Sequence, residues 1–239
     1  MSAVGWVIKQ IALPLSLDRQ FSFDNFVSDQ AELIVASLKA LVLGEGEAQI
    51  GLWGSAASGK SHLLNASADF ARQKGVVLQI YDAVQLQHCA ASEFEDYSDC
   101  DVLAIDNLDA IAGNPEWEAF FYQVINRCRD GDYRFLFALT DKPDDLQTRL
   151  NDFRSRLQWG LMLQLPSGGD AEIRKILRHR AGLLGIDLPL EVISYLMTHY
   201  PRDLSAQMAI LRQLDETSLS HQRKVTIPLV KTALLEQTD

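Results

Sequence analysis

Eight consecutive residues have the types and spacing needed to bind phosphate groups. Gly54 to Ser61 match the pattern G-x-x-x-x-G-K-[ST] at every fixed position. Glycines in such a loop let backbone N–H groups surround phosphates, and the dipole of the following helix favours their negative charge. In this pattern Lys60 reaches the β- and γ-phosphates, and the Ser61 hydroxyl is a ligand of Mg²⁺. The sequence therefore predicts a site for ADP, ATP or another nucleoside diphosphate with Mg²⁺. The other loop residues expected against the nucleotide are Ala57, Ser58, Gly59 and His62.

Polar residues are expected at the ends of strands beside this loop. Asp106 follows four apolar residues, and a carboxylate in that place holds Mg²⁺ through water, across the phosphates from Ser61. Many ATPases with this type of loop have an acid at the next residue, where it polarises the attacking water. Here that residue is Asn107, whose amide cannot accept a proton. We therefore expect poor intrinsic hydrolysis, with Asp109 as a substitute base. Thr140 either senses the γ-phosphate or caps the turn that follows it.

Three arginines are candidates for contacts with phosphates. Arg154 and Arg156 precede the last predicted strand, where a guanidinium can reach the γ-phosphate of a neighbouring subunit as an arginine finger. The alternative is a local ion pair with an acid such as Asp152. Arg202 opens a helix further along the chain, and it either folds back onto the phosphates or lies on the surface. The residues alone leave both alternatives open.

The N-terminal region contains a candidate peptide for binding a partner. It has a glutamine followed by spaced apolar residues and a proline: Gln10, Ile11, Leu13, Pro14 and Leu15. Such a peptide can lie extended in an apolar groove of another protein. From the residues alone, a strand folded onto its own domain is the favoured alternative, since short peptide motifs often match by chance.

The elements that must position these residues form two groups. Short apolar strands alternate with helices between residues 21 and 165, which predicts an α/β domain with a parallel sheet covered by helices on both faces. Its strands are expected at 49–53, 76–80, 102–105, 134–140 and 161–165. Four helical segments then follow without a strand, at 170–184, 189–199, 202–219 and 228–236. We expect an extended arm at 1–20, the α/β domain at 21–165 and a small all-helical lid at 166–239.

Composition limits the classes of partner. The net charge of −10 over 239 residues offers little basic surface for a nucleic-acid backbone, so autonomous DNA binding is not expected. The three cysteines have no C-x-x-C spacing, which argues against disulfides and zinc. An apolar run long enough for a membrane span and a secretory signal are both absent, so we expect a cytoplasmic location with no membrane partner.

Several blocks of residues together resemble the AAA+ P-loop ATPases of the DnaA/Hda family, over nearly the whole chain. The blocks are 21–27, 54–64, 105–108 with 111–113, 155–160 and 222–228. The pair Asp106 and Asn107, the N-terminal peptide and the end of the chain at Asp239 resemble the shorter Hda branch more closely. DnaA continues into a helix-turn-helix DNA-binding domain, so this ending implies a regulator in place of an initiator.

The resemblance implies roles for particular residues. Phe23, Phe26 and Val27 would line the adenine pocket, Thr140 would be sensor 1 and Arg202 sensor 2. Arg156 aligns with the arginine finger, with Arg154 as the fallback. The peptide at Gln10 to Leu15 is similar to sliding-clamp-binding peptides of the Q-L-x-L-P-L type, with Ile11 in place of the usual leucine.

The function implied is that of a nucleotide-bound regulator, with ADP the expected nucleotide. It would dock on the DNA polymerase sliding clamp (the beta subunit), stimulate ATP hydrolysis by DnaA through the finger, and so prevent re-initiation of DNA replication. Association with a second copy of the chain is also expected. The alternatives are a self-sufficient AAA+ ATPase of helicase-loader type and a non-catalytic adaptor in which the nucleotide is purely structural.

Overall fold

The computed structural model describes residues 21–94, 99–166, 169–221 and 225–235, without the side chains of 216–221 and 235. The predicted arm, including its peptide at Gln10 to Leu15, lies outside the described residues. The chain divides into two compact units. The first consists mainly of residues 30–55 and 59–165, and the second mainly of 166–239.

The first unit contains a five-stranded parallel sheet in the order β2-β3-β4-β1-β5. Its strands are β1 (Gln49–Trp53), β2 (Leu78–Asp82), β3 (Val102–Asp106), β4 (Arg134–Leu139) and β5 (Leu161–Gln164). Parallel neighbours need crossover connections, and the helices between the strands provide them. The carboxyl ends of β1, β2, β3 and β4 consequently meet at one edge of the sheet, which confirms the predicted α/β fold class.

The prediction for the second strand was wrong by two residues at each end. Val77 lies before the strand, where its N–H donates to the Asp101 carboxylate at 2.8 Å. The pairing with β3 instead extends to Tyr81 and Asp82, with Asp82 opposite Asp106. The apolar run therefore does not mark the end of β2, because the last two residues of this strand are Tyr81 and Asp82.

Apolar side chains cover both faces of the sheet, as expected for parallel strands. Along β4, Phe135, Phe137 and Leu139 enter one core cluster, while Leu136 and Ala138 enter the other. The helices of this unit are α1 (Ala31–Leu43), α2 (Lys60–Lys74), α3 (Ala83–Leu86), α4 (Pro115–Asp130) and α5 (Asn151–Leu157). Residues of α4 and α5 join the cluster that contains Phe135 and Phe137. Residues of α1 and α2 join the cluster that contains Leu136 and Ala138.

Local signals in the sequence explain the bounds of α4. Asn114 precedes the helix and its side-chain oxygen accepts from the N–H groups of Glu116 and Trp117. Pro115 occupies the first helical position, where its missing N–H costs nothing. Gly131 ends the helix with φ 92°, a left-handed conformation that favours glycine. The helix thereby presents Trp117 and Phe121 to the core.

The second unit is all-helical in its described residues. Its helices are α6 (Asp170–Leu183), α7 (Leu190–His199), α8 (Leu204–His221) and α9 (Ile227–Leu235). They enclose a core of their own that includes Leu177, Ile193 and Leu211. None of the helices in the described ranges is both long and apolar enough to cross a bilayer.

Candidate functional site

The predicted phosphate-binding loop joins β1 to α2. Ala57 has φ 60° and Gly59 has φ 101°, so the backbone curls through left-handed conformations before α2 begins at Lys60. The first N–H groups of a helix have no acceptor within it, which makes them available to an anion. The Ser58 hydroxyl is buried and has no hydrogen-bond partner among the described residues. These features fit a loop that closes around phosphate groups.

Lys60 lies within this loop. Its ammonium donates to the backbone oxygens of Gly54 at 2.5 Å and Ser55 at 2.9 Å. Burial lowers the pKa of Lys60 and outweighs the opposing effect of nearby carboxylates, chiefly Asp106. The ammonium is therefore held by weak neutral acceptors, and phosphate oxygens would bind it more strongly.

The two predicted ligands of Mg²⁺ lie together. The Ser61 hydroxyl donates to the Asp106 carboxylate, and the Asn107 N–H donates to the same carboxylate. Burial nevertheless raises the pKa of Asp106, against these hydrogen bonds. A hydroxyl beside a carboxylate offers the oxygen donors that Mg²⁺ prefers, so Ser61 and Asp106 fit this ion. The described residues contain no group of three or more histidines, cysteines or acids that could hold a metal alone.

Asn107 lies beside a residue that the sequence analysis missed. It has φ 52°, and its amide donates to the Asp82 carboxylate at 3.0 Å. The missed residue ends β2 beside Asp106, so a second carboxylate stands next to the predicted Mg²⁺ ligand. The signal that could have found Asp82 was an acid at the carboxyl end of a strand, but the predicted strand ended at Ile80, two residues before it.

The two remaining polar candidates at this edge also contact each other. The carboxylate of Asp109, the expected substitute base, accepts from the Thr140 N–H at 3.2 Å. Thr140 follows β4, so this bond joins the turn after β3 to the end of its neighbour. Both side chains consequently belong to the same edge of the sheet as Asp106.

Two of the residues expected against the nucleotide pack beside the loop. The Phe26 ring stacks on the His62 ring, with centroids 6.2 Å apart, and a Cβ added at Gly59 would lie 2.9 Å from the Phe26 ring. His62 is buried, and its Nε2 lies 3.0 Å from the backbone oxygen of Ser22. Val27 follows Phe26 and is half-buried. The loop and the segment before α1 are therefore packed closely together.

Phe23 has a different environment. It is buried in the core cluster of α1 and α2, with its ring 5.8 Å from the Phe70 ring in an edge-on arrangement. The ammonium of Lys39 lies 5.5 Å from its centroid. These contacts give Phe23 a packing role beneath the segment that carries Phe26.

Arg156 lies on an aromatic surface. Its guanidinium carbon is 3.3 Å from the centroid of the Trp159 ring and 5.4 Å from that of Tyr122. The pKa of the half-buried Tyr122 is lowered, chiefly by a hydrogen bond from Arg156 and to a smaller extent by one from Asn126. The Nε of Arg156 is buried and has no partner among the described residues. Stacking thus holds a guanidinium that still has hydrogen-bonding capacity.

The alternative of a local ion pair is not observed for either candidate finger. Within the described ranges, neither Arg154 nor Arg156 lies within 4.0 Å of a carboxylate oxygen. Arg154 is half-buried on the same helix.

Buried polar residues that the sequence analysis missed anchor α5. The Glu118 carboxylate, fully buried on α4, accepts from the N–H groups of Arg149 and Leu150, which directly precede α5. The buried amide of Gln49 donates to the backbone oxygens of Arg156 and Leu157, at 3.0 Å each. The helix that carries the arginines is thus fixed at both ends. A buried acid within an amphipathic pattern gives no advance signal, since it looks like a solvent-exposed one.

Arg202 lies in the helical unit. Its Nε donates to the backbone oxygen of Met197 at 3.0 Å, and its guanidinium pairs with Asp170 at 3.2 Å. Both groups of this pair are more than half exposed, so the pair contributes little to stability.

Comparison with known proteins agrees with this geometry. A model of the bacterial DnaA ATPase domain matches residues 17–164, and a model of the Hda lid domain matches residues 170–234. An uncharacterized protein of Haemophilus influenzae is 31% identical over 228 residues, covering 95% of this chain and 98% of that one.

Solved structures share the fold at low sequence identity. Domain III of the Thermotoga maritima replication initiation protein DnaA has a TM-score of 0.76 at 17% identity, over 91% of this chain and 96% of that one. AMPPCP-bound DnaA from Aquifex aeolicus has a TM-score of 0.70 at 20% identity, over 84% and 67%. The Thermotoga maritima RuvB branch migration motor has a TM-score of 0.68 at 17% identity, over 92% and 73%. The chain belongs to the DnaA/Hda family of AAA+ proteins, with a DnaA-type ATPase domain followed by an Hda-type lid.

Proposed function

We propose that this chain is a nucleotide-bound regulator of replication initiation that acts on DnaA, a protein of its own family. The observation that carries the proposal is Arg156, a half-buried arginine with no acidic partner among the described residues, on a helix that Glu118 and Gln49 anchor. An arginine held in this way can stabilise the negative charge that develops when a neighbouring subunit transfers a phosphoryl group. Arg154 on the same helix is the fallback.

The chain's own nucleotide has a structural role in this proposal. The loop at 54–61 would bind its phosphates, Lys60 would exchange its backbone acceptors for phosphate oxygens, and Phe26 with His62 would lie against the base. Ser61 and Asp106 would hold Mg²⁺, which offsets the charge of the phosphates when bound. We propose ADP as the resident nucleotide, with Arg202 of the lid and Thr140 of the sheet edge as its sensors.

Asn107 supports a regulatory role over self-sufficient turnover. It occupies the position where an acid would polarise water, and its amide is engaged by the Asp82 carboxylate. A donor in that position cannot remove a proton from water. We therefore propose that the productive hydrolysis occurs in the partner.

Docking on the sliding clamp is proposed from the sequence. The peptide at Gln10 to Leu15 has the glutamine, spaced apolar residues and proline of a clamp-binding segment. Recruitment to a clamp on DNA raises the effective concentration of the chain near DnaA without any new contact between the two. Clamp binding would thus restrict the activity to DNA that has already been replicated.

The test is single-turnover hydrolysis of ATP bound to DnaA, in the presence of clamp-loaded DNA. Arg156→Ala should lower the stimulated rate on the order of 10³-fold, the scale of a trans-acting arginine. Arg127→Ala is the matched control, because Arg127 lies on α4 and pairs with Asp132 at 2.9 Å. If Arg156→Ala stimulated as well as the unmodified chain, the finger assignment would be wrong.

Removing residues 1–20 should abolish retention on the clamp, and unchanged retention would contradict that part of the proposal.

The second candidate is a self-sufficient ATPase of helicase-loader type. The bond between Asp109 and the Thr140 N–H favours it, since it holds a carboxylate at the end of β4, close enough to Lys60 to act on its charge. This candidate predicts appreciable steady-state hydrolysis by the isolated chain, lost in Lys60→Ala and lowered in Asp109→Asn. Turnover at background level in the unmodified chain would exclude it.

A further inference from the structure

Two guanidinium groups lie on one tryptophan ring. The guanidinium carbons of Arg156 and Arg129 are 3.3 and 4.3 Å from the centroid of the Trp159 ring. Arg129 belongs to the last turn of α4, and Trp159 follows α5. Two anchored helices thus bring both charges to one surface, and we call these three side chains the arginine–tryptophan stack.

Neither charge of the stack is neutralised by the described part of the chain. Neither Arg129 nor Arg156 has a carboxylate oxygen within 4.0 Å there, whereas Arg127 on the same helix pairs with Asp132 at 2.9 Å. Two like charges held near each other repel, and an anion between or beside them relieves that repulsion. We therefore expect the stack to bind an anionic group more strongly than an uncharged one.

Space for such a group adjoins the stack. A cavity of about 400 Å³ includes Arg129 and Trp159 in its lining. Its other residues include Gln49, Ile125 and Cys128, and its one carboxylate, Glu47, forms no ion pair with either arginine. A group of a partner protein can approach Arg129 there without displacing the core.

We propose that Arg129 is a second cation that contacts the nucleoside triphosphate bound in the partner, with Trp159 holding its guanidinium beside that of Arg156. This inference rests on the proposed function, because it assigns both guanidiniums to the same bound nucleotide. Arg156 supplies the contact to the transferred phosphoryl group. Arg129 adds affinity that depends on the charge of the triphosphate.

The experiment compares binding to DnaA loaded with ATP and with ADP. Arg129→Gln removes the charge while keeping a polar side chain, and it should weaken binding to the ATP-loaded partner about fivefold, the scale of one exposed charge contact. Binding to the ADP-loaded partner should change by less than about twofold, because the terminal phosphate charge is missing. Arg127→Gln is the control and should leave both affinities unchanged, while Arg129→Lys should restore most of the preference for ATP.

The same measurements test the ring. Trp159→Leu keeps apolar bulk but removes the face on which both guanidiniums stack, so it should lower both the affinity for the ATP-loaded partner and the maximal single-turnover rate. Trp159→Phe should restore both quantities, a recovery that a purely structural role of the indole does not require. Loss of both in Trp159→Phe as well would contradict the stacking role.

The outcomes separate this inference from the proposed function. If Arg129→Gln lowered the affinity for the ATP-loaded and the ADP-loaded partner equally, or lowered neither, the proposed contact to the triphosphate would be refuted. If Arg156→Ala stimulated hydrolysis normally, the assignment of Arg156 as the finger and this inference would both fail, and Arg154 would remain as the fallback finger. An inactive Arg156→Ala together with a normal Arg129→Gln would overturn this inference alone.

Discussion

The buried carboxylate of Glu118 allows a direct test of how the arginine-bearing helix is held. Its Oε1 accepts from the Gly113 N–H at 2.7 Å and from the Arg149 N–H at 3.1 Å. Its Oε2 accepts from the Arg149 N–H at 3.0 Å and the Leu150 N–H at 2.7 Å. No side chain caps α5 from its own N-cap residue, so this carboxylate satisfies the donors that precede the helix.

Glu118→Gln should therefore be strongly destabilising. The substitution replaces one oxygen by an NH₂ group, which faces an N–H donor and leaves either Gly113 or Leu150 without its acceptor. A hydrogen bond to a charged group contributes roughly 1.5–3 kcal/mol, and a buried donor left unsatisfied costs about 1–3 kcal/mol. We expect the free energy of unfolding of the α/β unit to fall by about 3 kcal/mol.

Urea denaturation followed by tryptophan fluorescence measures this loss. All four tryptophans precede residue 166, so the signal reports the first unit and not the lid. Glu116→Gln is the matched control, since Glu116 lies two residues before Glu118 on α4, is exposed, and accepts from the Ala91 N–H. The control should lose less than about 1 kcal/mol.

The functional consequence separates anchoring from general stability. At a temperature where Glu118→Gln remains folded, we expect lower stimulation of the partner, because the start of α5 is no longer fixed. A loss of stability below about 0.5 kcal/mol, equal to that of Glu116→Gln, would refute the anchoring role.

Three further predictions concern the loop, the last strand and the thiols. Gly59→Ala should lower nucleotide affinity at least about tenfold in equilibrium titration, because φ is 101° and the new Cβ would lie 2.9 Å from the Phe26 ring. Gly160→Ala should destabilise the α/β unit in urea denaturation, since its Cβ would collide with the backbone oxygen of the first residue of β1. Burial raises the pKa of Cys100 and Cys128 to about 11 from 9.0, so both should resist iodoacetamide at pH 8 in the folded chain. The unfolded chain loses these protons near pH 9.0 and the folded chain near pH 11, so between those values stability should fall as pH rises.

The sequence predicted those features whose cause is local. The glycine-rich loop requires a strand before it and a helix after it, and both are present around Lys60. Continuous apolar runs predicted buried parallel strands, and alternate residues of β4 do enter opposite cores. Trp117 and Phe121 are four residues apart, and this spacing indicates the buried face of α4 because such residues share one side of a helix.

The contacts that depend on distant parts of the chain could not be predicted. Glu118 occupies a position where an exposed acid is equally compatible with the helix, and only the loop at Arg149 and Leu150 gives it donors. Asp82 accepts a hydrogen bond from Asn107 because β2 and β3 pair in a register that cannot be predicted from the sequence. Composition likewise left open whether Arg156 pairs with an acid or stacks on a ring.

The most direct test of the central claim asks in which protein ATP is hydrolysed. Two mixtures of this chain with DnaA and clamp-loaded DNA are prepared, one with labelled ATP on DnaA and one with labelled ATP on this chain. We predict rapid release of labelled phosphate only when the label is on DnaA, with dependence on Arg156 and independence from Asp109. Equal or faster release of the label bound to this chain, unaffected by Arg156→Ala, would contradict the account.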